Sequence, residues 1–121
     1  MSQRLEKVQK LARQVLGEAI HDLKDPRVGF ATVTHVRISP DLRHARVFVS
    51  VMGSEQDRDQ TMRGLESATA HLRAELGRQV RMKYLPELSF ELDRGAETAQ
   101  RMEEVFRELH AHEQAPGGET R

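Results

Sequence analysis

Four cations, Arg73, Arg78, Arg81 and Lys83, fall within eleven residues and face only Glu75 as a nearby anion. A second group, Arg27, Arg37, Arg43 and Arg46, has only Asp41 among its members from Arg37 onward. Such clusters can track a phosphate backbone. Fifteen of the 19 cations are Arg, whose planar fork suits bidentate phosphate contacts and stacking on bases. A solvated helix end, where cations complement the dipole, would explain the first cluster without any ligand. The aromatic residues Phe30, Phe48, Phe90 and Tyr84 are scattered along the chain, and Phe90 and Phe106 read as core. Any nucleic-acid contact would therefore rest on backbone and shape rather than on a platform of stacked bases.

Catalytic patterns have weaker material. Histidines stand at 21, 35, 44, 71, 110 and 112, and none forms His-x-x-x-His or His-Glu-x-x-His. His110 and His112 are two apart on a predicted helix and point in different directions. No serine lies in a Gly-x-Ser-x-Gly elbow, and no Gly-x-x-x-x-Gly-Lys phosphate loop occurs. Glu87, Glu91 and Asp93 share one polar strand face, which solvation explains without acid/base work. With no cysteine, disulfides, thiolate zinc sites and Cys nucleophiles are excluded.

The 121 residues amount to one domain. Lys plus Arg equals Asp plus Glu at 19 each, which argues against binding nucleic acid through bulk charge. The distribution is polarised: residues 1–53 carry nine cations against five anions, residues 93–121 four against seven. No apolar run approaches the roughly 20 residues of a membrane span, and the first residues do not read as a secretory leader. The expectation is a cytoplasmic protein with no membrane contact.

These residues need positioning elements. Leu5, Val8, Ala12, Val15, Ala19 and Leu23 predict a helix that ends at Asp25-Pro26, since the residue before proline leaves the helical region. Phe30 to Ile38 predicts a strand with Phe30, Thr32, Thr34, Val36 and Ile38 on one face. Ser39-Pro40-Asp41-Leu42 is turn chemistry, and Ala45, Val47, Val49 and Val51 alternate along a second, antiparallel strand. Ser54 and Asp57 resemble a capping box before a stripe of Met62, Leu65, Ala68, Leu72 and Leu76. Local pattern alone predicts one unbroken helix there, stopping near Gly77. Leu88, Phe90 and Leu92 mark a third strand; Ala99, Met102, Val105, Phe106 and Leu109 mark a last helix. The expected α+β domain covers 1–112, with its helices on one face of the sheet, and a disordered tail covers 113–121.

Several stretches are similar to a known family. They are Lys24-Asp25-Pro26-Arg27, Ile38-Ser39-Pro40-Asp41-Leu42, Ala45-Arg46-Val47-Phe48-Val49, Leu72-Arg73-Ala74-Glu75-Leu76 and Leu85 to Asp93. In this order and spacing, from about Leu5 to Leu109, the chain resembles the ribosome-binding factor A family of bacterial small-subunit assembly factors. The resemblance implies a type II KH-like fold, α-β-β-α(kink)α-β-α, with a three-stranded mixed sheet. The family lacks the Gly-x-x-Gly loop of other KH domains and joins the two helices by an Ala-x-Gly kink. This chain has no Gly-x-x-Gly, and at the kink it reads Ala68-Thr69-Ala70, with Ala in place of the final Gly. A bend is then expected within Ser67 to His71, with Thr69 as hinge.

The resemblance further implies a protein without catalytic activity or cofactor. It would bind the immature 30S subunit through small-subunit ribosomal RNA and support late maturation and precursor end processing. The family is also tied to growth in the cold. Joining that fold to local charge assigns RNA contact to Ala68, Thr69 and Ala70 and to the arc Arg73, Arg78, Arg81 and Lys83, with Arg27, Arg43 and Arg46 as further candidates. The expected partner is the 30S subunit, with no small-molecule substrate, and the expected state is a monomer. The alternative from another class is a KH-like adaptor that docks a partner protein and does not touch RNA.

Overall fold

The computed structural model describes residues 2–95 and 98–109. Helix α1 spans Ser2–His21, strands β1 and β2 span Ala31–Ile38 and His44–Val51, and helices α2 and α3 span Glu55–Ser67 and Thr69–Gln79. Strand β3, Glu87–Leu92, follows, and a last helix, α4, covers 98–109. The sheet order is β1-β2-β3, with β1 antiparallel and β3 parallel to the central β2. Element order and mixed sheet are those of the type II KH-like fold. The tail expected from 113, and the domain limit at 112, lie outside the described residues.

Alternation along β2 builds the main core. Ala45, Val47, Val49 and Val51 are buried beneath α1 and α3, whose Ala12, Leu16, Leu72 and Leu76 close over them. Phe48 points the other way and is fully buried with Val105, Leu109 and Met102 of α4. The helices therefore do not all lie on one face: α4 covers the back of the sheet, because a Phe at an even position of this strand would otherwise face water. An ionic network rims this contact. Arg46 Nη1 and Nη2 donate to Glu91 and Glu108 at 3.2 and 3.3 Å, and Arg101 Nε donates to Glu91 at 2.7 Å. Phe106, expected in the core, is 49% exposed.

Strand β1 departs from strict alternation. Its register against β2 shifts between Val33 and His35, so one extra residue, Thr34, bulges out. Val33 and Val36, three apart, both reach the core, whereas Thr32 is exposed and Phe30 is 83% exposed. The expected face of Phe30, Thr32 and Thr34 is thus overturned by a single bulge. Gln9 Oε1 of α1 accepts from the Ile38 N–H at 2.9 Å, on the side of β1 away from β2. At the hairpin turn Leu42 adopts φ 65°, the sole positive-φ non-glycine residue among those described. Such a conformation costs about 1–2 kcal/mol for a side chain of this kind. The turn sustains it by bonds from Leu42 N to Ser39 O at 2.8 Å and from Ser39 Oγ to Asp41 at 2.6 Å.

Helix α1 ends at His21, earlier than Asp25-Pro26 alone would require. The intervening loop is clamped to α2. Thr61 Oγ1 donates to Arg27 O at 3.3 Å and accepts from Gly29 N at 3.2 Å. Gly64 permits the approach, since a Cβ there would lie 2.6 Å from Val28 Cγ2. The capping box before α2 forms as expected, with Ser54 N to Asp57 Oδ2 at 2.9 Å and Asp57 N to Ser54 Oγ at 3.1 Å. Helix α3 runs two residues past Gly77, where Leu85 folds against the bare backbone.

Of two substitutions, one should run against simple helix propensity and the other with it. Gly64→Ala should lower stability by about 1–3 kcal/mol despite favouring the helix, because the new methyl overlaps Val28. Ala70→Gly should lower it by up to about 1 kcal/mol, because Ala70 sits at ordinary negative φ in the first turn of α3. Chemical denaturation checks both. The Asp25 carboxyl is pushed down to about 2, chiefly by the hydrogen bond from the Arg27 side chain, then by the Arg27 N–H. A depressed carboxylate pKa stabilises the fold above the ordinary value of 3.8, and that contribution is lost as pH falls toward 2. A carbon-detected NMR titration should find the Asp25 midpoint near 2, and Arg27→Ala should return it toward 3.8.

Candidate nucleic-acid interface

The helical stripe is broken once, at Ala68, which has φ −93° and ψ 7° and is the last cap of α2 and the first of α3. The break falls one residue before the expected hinge, Thr69. Ala68 N–H is shared between Gly64 O at 3.0 Å and Leu65 O at 3.1 Å, and regular bonding resumes from Leu72 N to Ala68 O at 2.9 Å. Thr69 has the supporting role that its hydroxyl suggests: Oγ1 donates to Glu66 O at 2.8 Å and Leu65 O at 3.3 Å, carbonyls at the end of α2. Ala70 keeps negative φ, so the kink forms without the family's glycine. It is exposed and presents a surface with no bulky side chain.

The ten expected RNA-contact residues separate into groups with different surroundings. Arg27 lies beside Gly64, one helical turn from Ala68, so Arg27 and the segment Ala68, Thr69 and Ala70 share one end of the molecule. The Arg27 guanidinium forks onto Asp25, with Nη2 2.6 Å from Oδ2 and Nε 3.1 Å from Oδ1. This fork holds the side chain in one pose and partly cancels its charge. Arg81, Lys83 and Arg43 gather at the opposite end of α3, about 16 Å along its axis at 1.5 Å per residue. Arg43 stacks its guanidinium 4.1 Å from the centre of the Tyr84 ring, and Lys83 Nζ lies 5.5 Å from it.

Arg73 and Arg46 are committed within the fold, and Arg78 is held in an exposed pair on the surface of α3. Arg73 donates from Nε to Pro86 O and from Nη2 to Leu85 O, each at 2.8 Å, and so pins the linker that leads into β3. Arg78 pairs with Glu75 one turn earlier on α3. Arg46 belongs to the network beneath α4. Sequence proximity had joined Arg73 and Arg78 to Arg81 and Lys83; in space they serve different ends.

Tyr84 and Arg4 were missed by sequence reasoning. Arg4 lines the same cleft as Arg81 and Lys83, brought there by the packing of α1 on α3. Its position on the polar face of α1 gave the only signal, and that signal did not say which cations it would join. Among the described residues no three His, Asp or Glu converge as metal ligands, and no helix is long and apolar enough to cross a membrane.

Comparison with known proteins agrees with this architecture. A sequence model of the family described as Ribosome-binding factor A matches residues 4–106. The ribosome-binding factor A of Natranaerobius thermophilus is 39% identical over 111 residues, covering 91% of this chain and 85% of its own. That of Dictyoglomus thermophilum is 43% identical over 111 residues, covering 90% and 92%. The crystal structure of ribosome-binding factor A from Thermus thermophilus superposes with a TM-score of 0.68 at 34% identity, covering 75% of this chain and 98% of that one. A homology model of the Thermus thermophilus factor, fitted into a cryo-EM map of a 30S complex, gives 0.61 at 36% identity, covering 72% and 92%. Matches this long and at this identity place the chain in the ribosome-binding factor A family.

Proposed function

We propose that this protein is a non-enzymatic assembly factor that binds the immature 30S subunit through small-subunit ribosomal RNA. It supports late maturation of the subunit and processing of the precursor RNA ends. The observation that carries this reading is the likeness to a Thermus thermophilus relative described in a 30S complex, 36% identical to this chain and matching 72% of it. The chemistry of the surface supports the same reading. Two patches, the kink with Arg27 and the cluster of Arg81, Lys83 and Arg43, are separated by one rigid helix. Such a pair contacts RNA at two fixed points and selects a junction by its shape.

The roles of the individual cations follow from their commitments. Arg81, Lys83 and Arg43 meet phosphates, and Ala68, Thr69 and Ala70 allow close approach of an RNA backbone beside Arg27. Arg73, Arg78 and Arg46 act through the fold, by setting the linker, the end of α3 and the seat of α4. The protein works in the cytoplasm as a monomer. It holds one conformation of the RNA while other factors act, and it makes or breaks no covalent bond.

Co-sedimentation with purified 30S subunits, 50S subunits and 70S ribosomes tests the reading, and the protein should travel with free 30S alone. Absence from the 30S fraction, or metal-dependent cleavage of precursor RNA by the pure protein, would overturn it. Replacing Arg81 or Lys83 with Ala should weaken 30S binding. Each cation withdrawn from a phosphate should reduce the magnitude of the log–log salt slope by about 0.7–0.9. Arg78→Ala should leave that slope unchanged. Arg73→Ala should lower stability by about 1.5 kcal/mol, since it removes two charge-assisted bonds from a half-exposed side chain.

A further inference from the structure

A cleft of about 390 Å³ opens between the first turns of α1, the β1–β2 turn and the linker that follows α3. Leu5, Val8, Leu42 and Met82 form its apolar floor, and all four are half-buried at the margin of the main core. Arg4, Arg81 and Lys83 stand on its walls, and among the described residues no carboxylate lines it. The floor is built at a cost, because Leu42 reaches it only from the left-handed turn conformation. Lys83 also leans toward the half-exposed Tyr84 ring, which Arg43 covers from the hairpin.

The pairing of floor and rim selects among ligands. A free phosphate would satisfy the cations and leave the apolar floor wet. An apolar side chain of a partner protein would fill the floor and leave three cations without counter-charge. An unstacked nucleotide supplies both halves at once, a flat base with an apolar face and a phosphate on either side. The volume is ample for one base with its sugar.

We propose that this cleft takes a single unstacked nucleotide of single-stranded RNA, its base on Leu5, Val8, Leu42 and Met82 and its flanking phosphates on Arg4, Arg81 and Lys83. The site rests on the RNA-binding reading above and adds to it a pocket for a base, at the end of α3 opposite the kink. The side chains of the floor offer no hydrogen-bonding group to a base edge, so the pocket accepts any base and requires only that one be present.

The test compares two single-stranded RNAs of equal length, hexa-adenylate and the same strand with abasic sugars, by fluorescence anisotropy on the full chain. The intact strand should bind at least fivefold more tightly, because both carry the same phosphates. In the double variant Leu5→Ala, Met82→Ala that advantage should vanish, with the affinity for the abasic strand unchanged. Amide shift mapping on the unaltered protein repeats the test without any variant. Hexa-adenylate should move Leu5, Val8, Leu42 and Met82, and the abasic strand should move only Arg4, Arg81 and Lys83. Equal affinity for the two strands, or shifts confined to the kink, would overturn the pocket. Displacement of RNA from these residues by an acidic peptide carrying one leucine, with the peptide bound more tightly than RNA, would also overturn it. Failure here alongside 30S co-sedimentation would remove the pocket alone; loss of 30S co-sedimentation would remove the wider reading.

Discussion

Phe48 cannot share a layer with its neighbours Val47 and Val49, because successive side chains of a strand leave on opposite faces. All three are fully buried, so the central strand must lose water on both sides. The front is closed by α1, α2 and α3. The back is closed by α4, whose Val105 and Leu109 meet Phe48 where the His35 ring also packs edge-on at 6.4 Å. This second cluster is small, and the ion pairs of Arg46, Glu91, Arg101 and Glu108 supply orientation around it. Partly exposed pairs of this kind contribute little singly, and a shared network fixes geometry more than it adds stability. Arg46 is therefore bound to the architecture.

Much of the fold could be read from residues because local and global preferences agree. The capping box, the two strands of the hairpin and the stripe of α1 all follow from spacing and turn chemistry. Where the reading erred, a long-range contact outweighed the local pattern. The bulge at Thr34 shifts β1 by one residue, which reverses the faces of Phe30 and Thr32 and lets Val33 and Val36 both reach the core. No periodicity in nine residues encodes that slip. The last helix reads as covering the same face as the others until Phe48 is seen to need a cover of its own. The break between α2 and α3 shows no helix breaker at all. Ala68, Thr69 and Ala70 are compatible with a continuous helix, and the family pattern, with tertiary packing behind it, located the interruption to within one residue.

The surface cations were legible as a set and not as individuals. Arg73, Arg78, Arg81 and Lys83 look alike in sequence, yet Arg73 is tied to linker carbonyls, Arg78 pairs with Glu75 on the exposed face of α3, and the other two line an open cleft. What separates them is the path of the linker after α3, which brings Leu85 and Pro86 back over α3 and leaves Arg81, Lys83 and Tyr84 outside. Arg4 joins them only because α1 packs along α3. An interface assembled in this way, from α1, a turn and a linker, is fixed in shape by the core beneath it. The spacing between the two patches is therefore fixed as well.

The bond between Gln9 and the outward N–H of Ile38 has a consequence for how the sheet meets other chains. A three-stranded sheet has two open margins, and the row of unused main-chain groups on β1 is a template for an incoming strand. Gln9 occupies one of those donors, and the bulge at Thr34 twists the margin away from the flat geometry that a new ladder would require. On the other margin β3 is only six residues long, follows a buried proline and carries Glu87 and Glu91. Both margins are thus poor acceptors for strand addition. A chain with margins of this kind resists edge-to-edge association with unfolded polypeptides, which leaves helices, turns and side chains as its surfaces for contact.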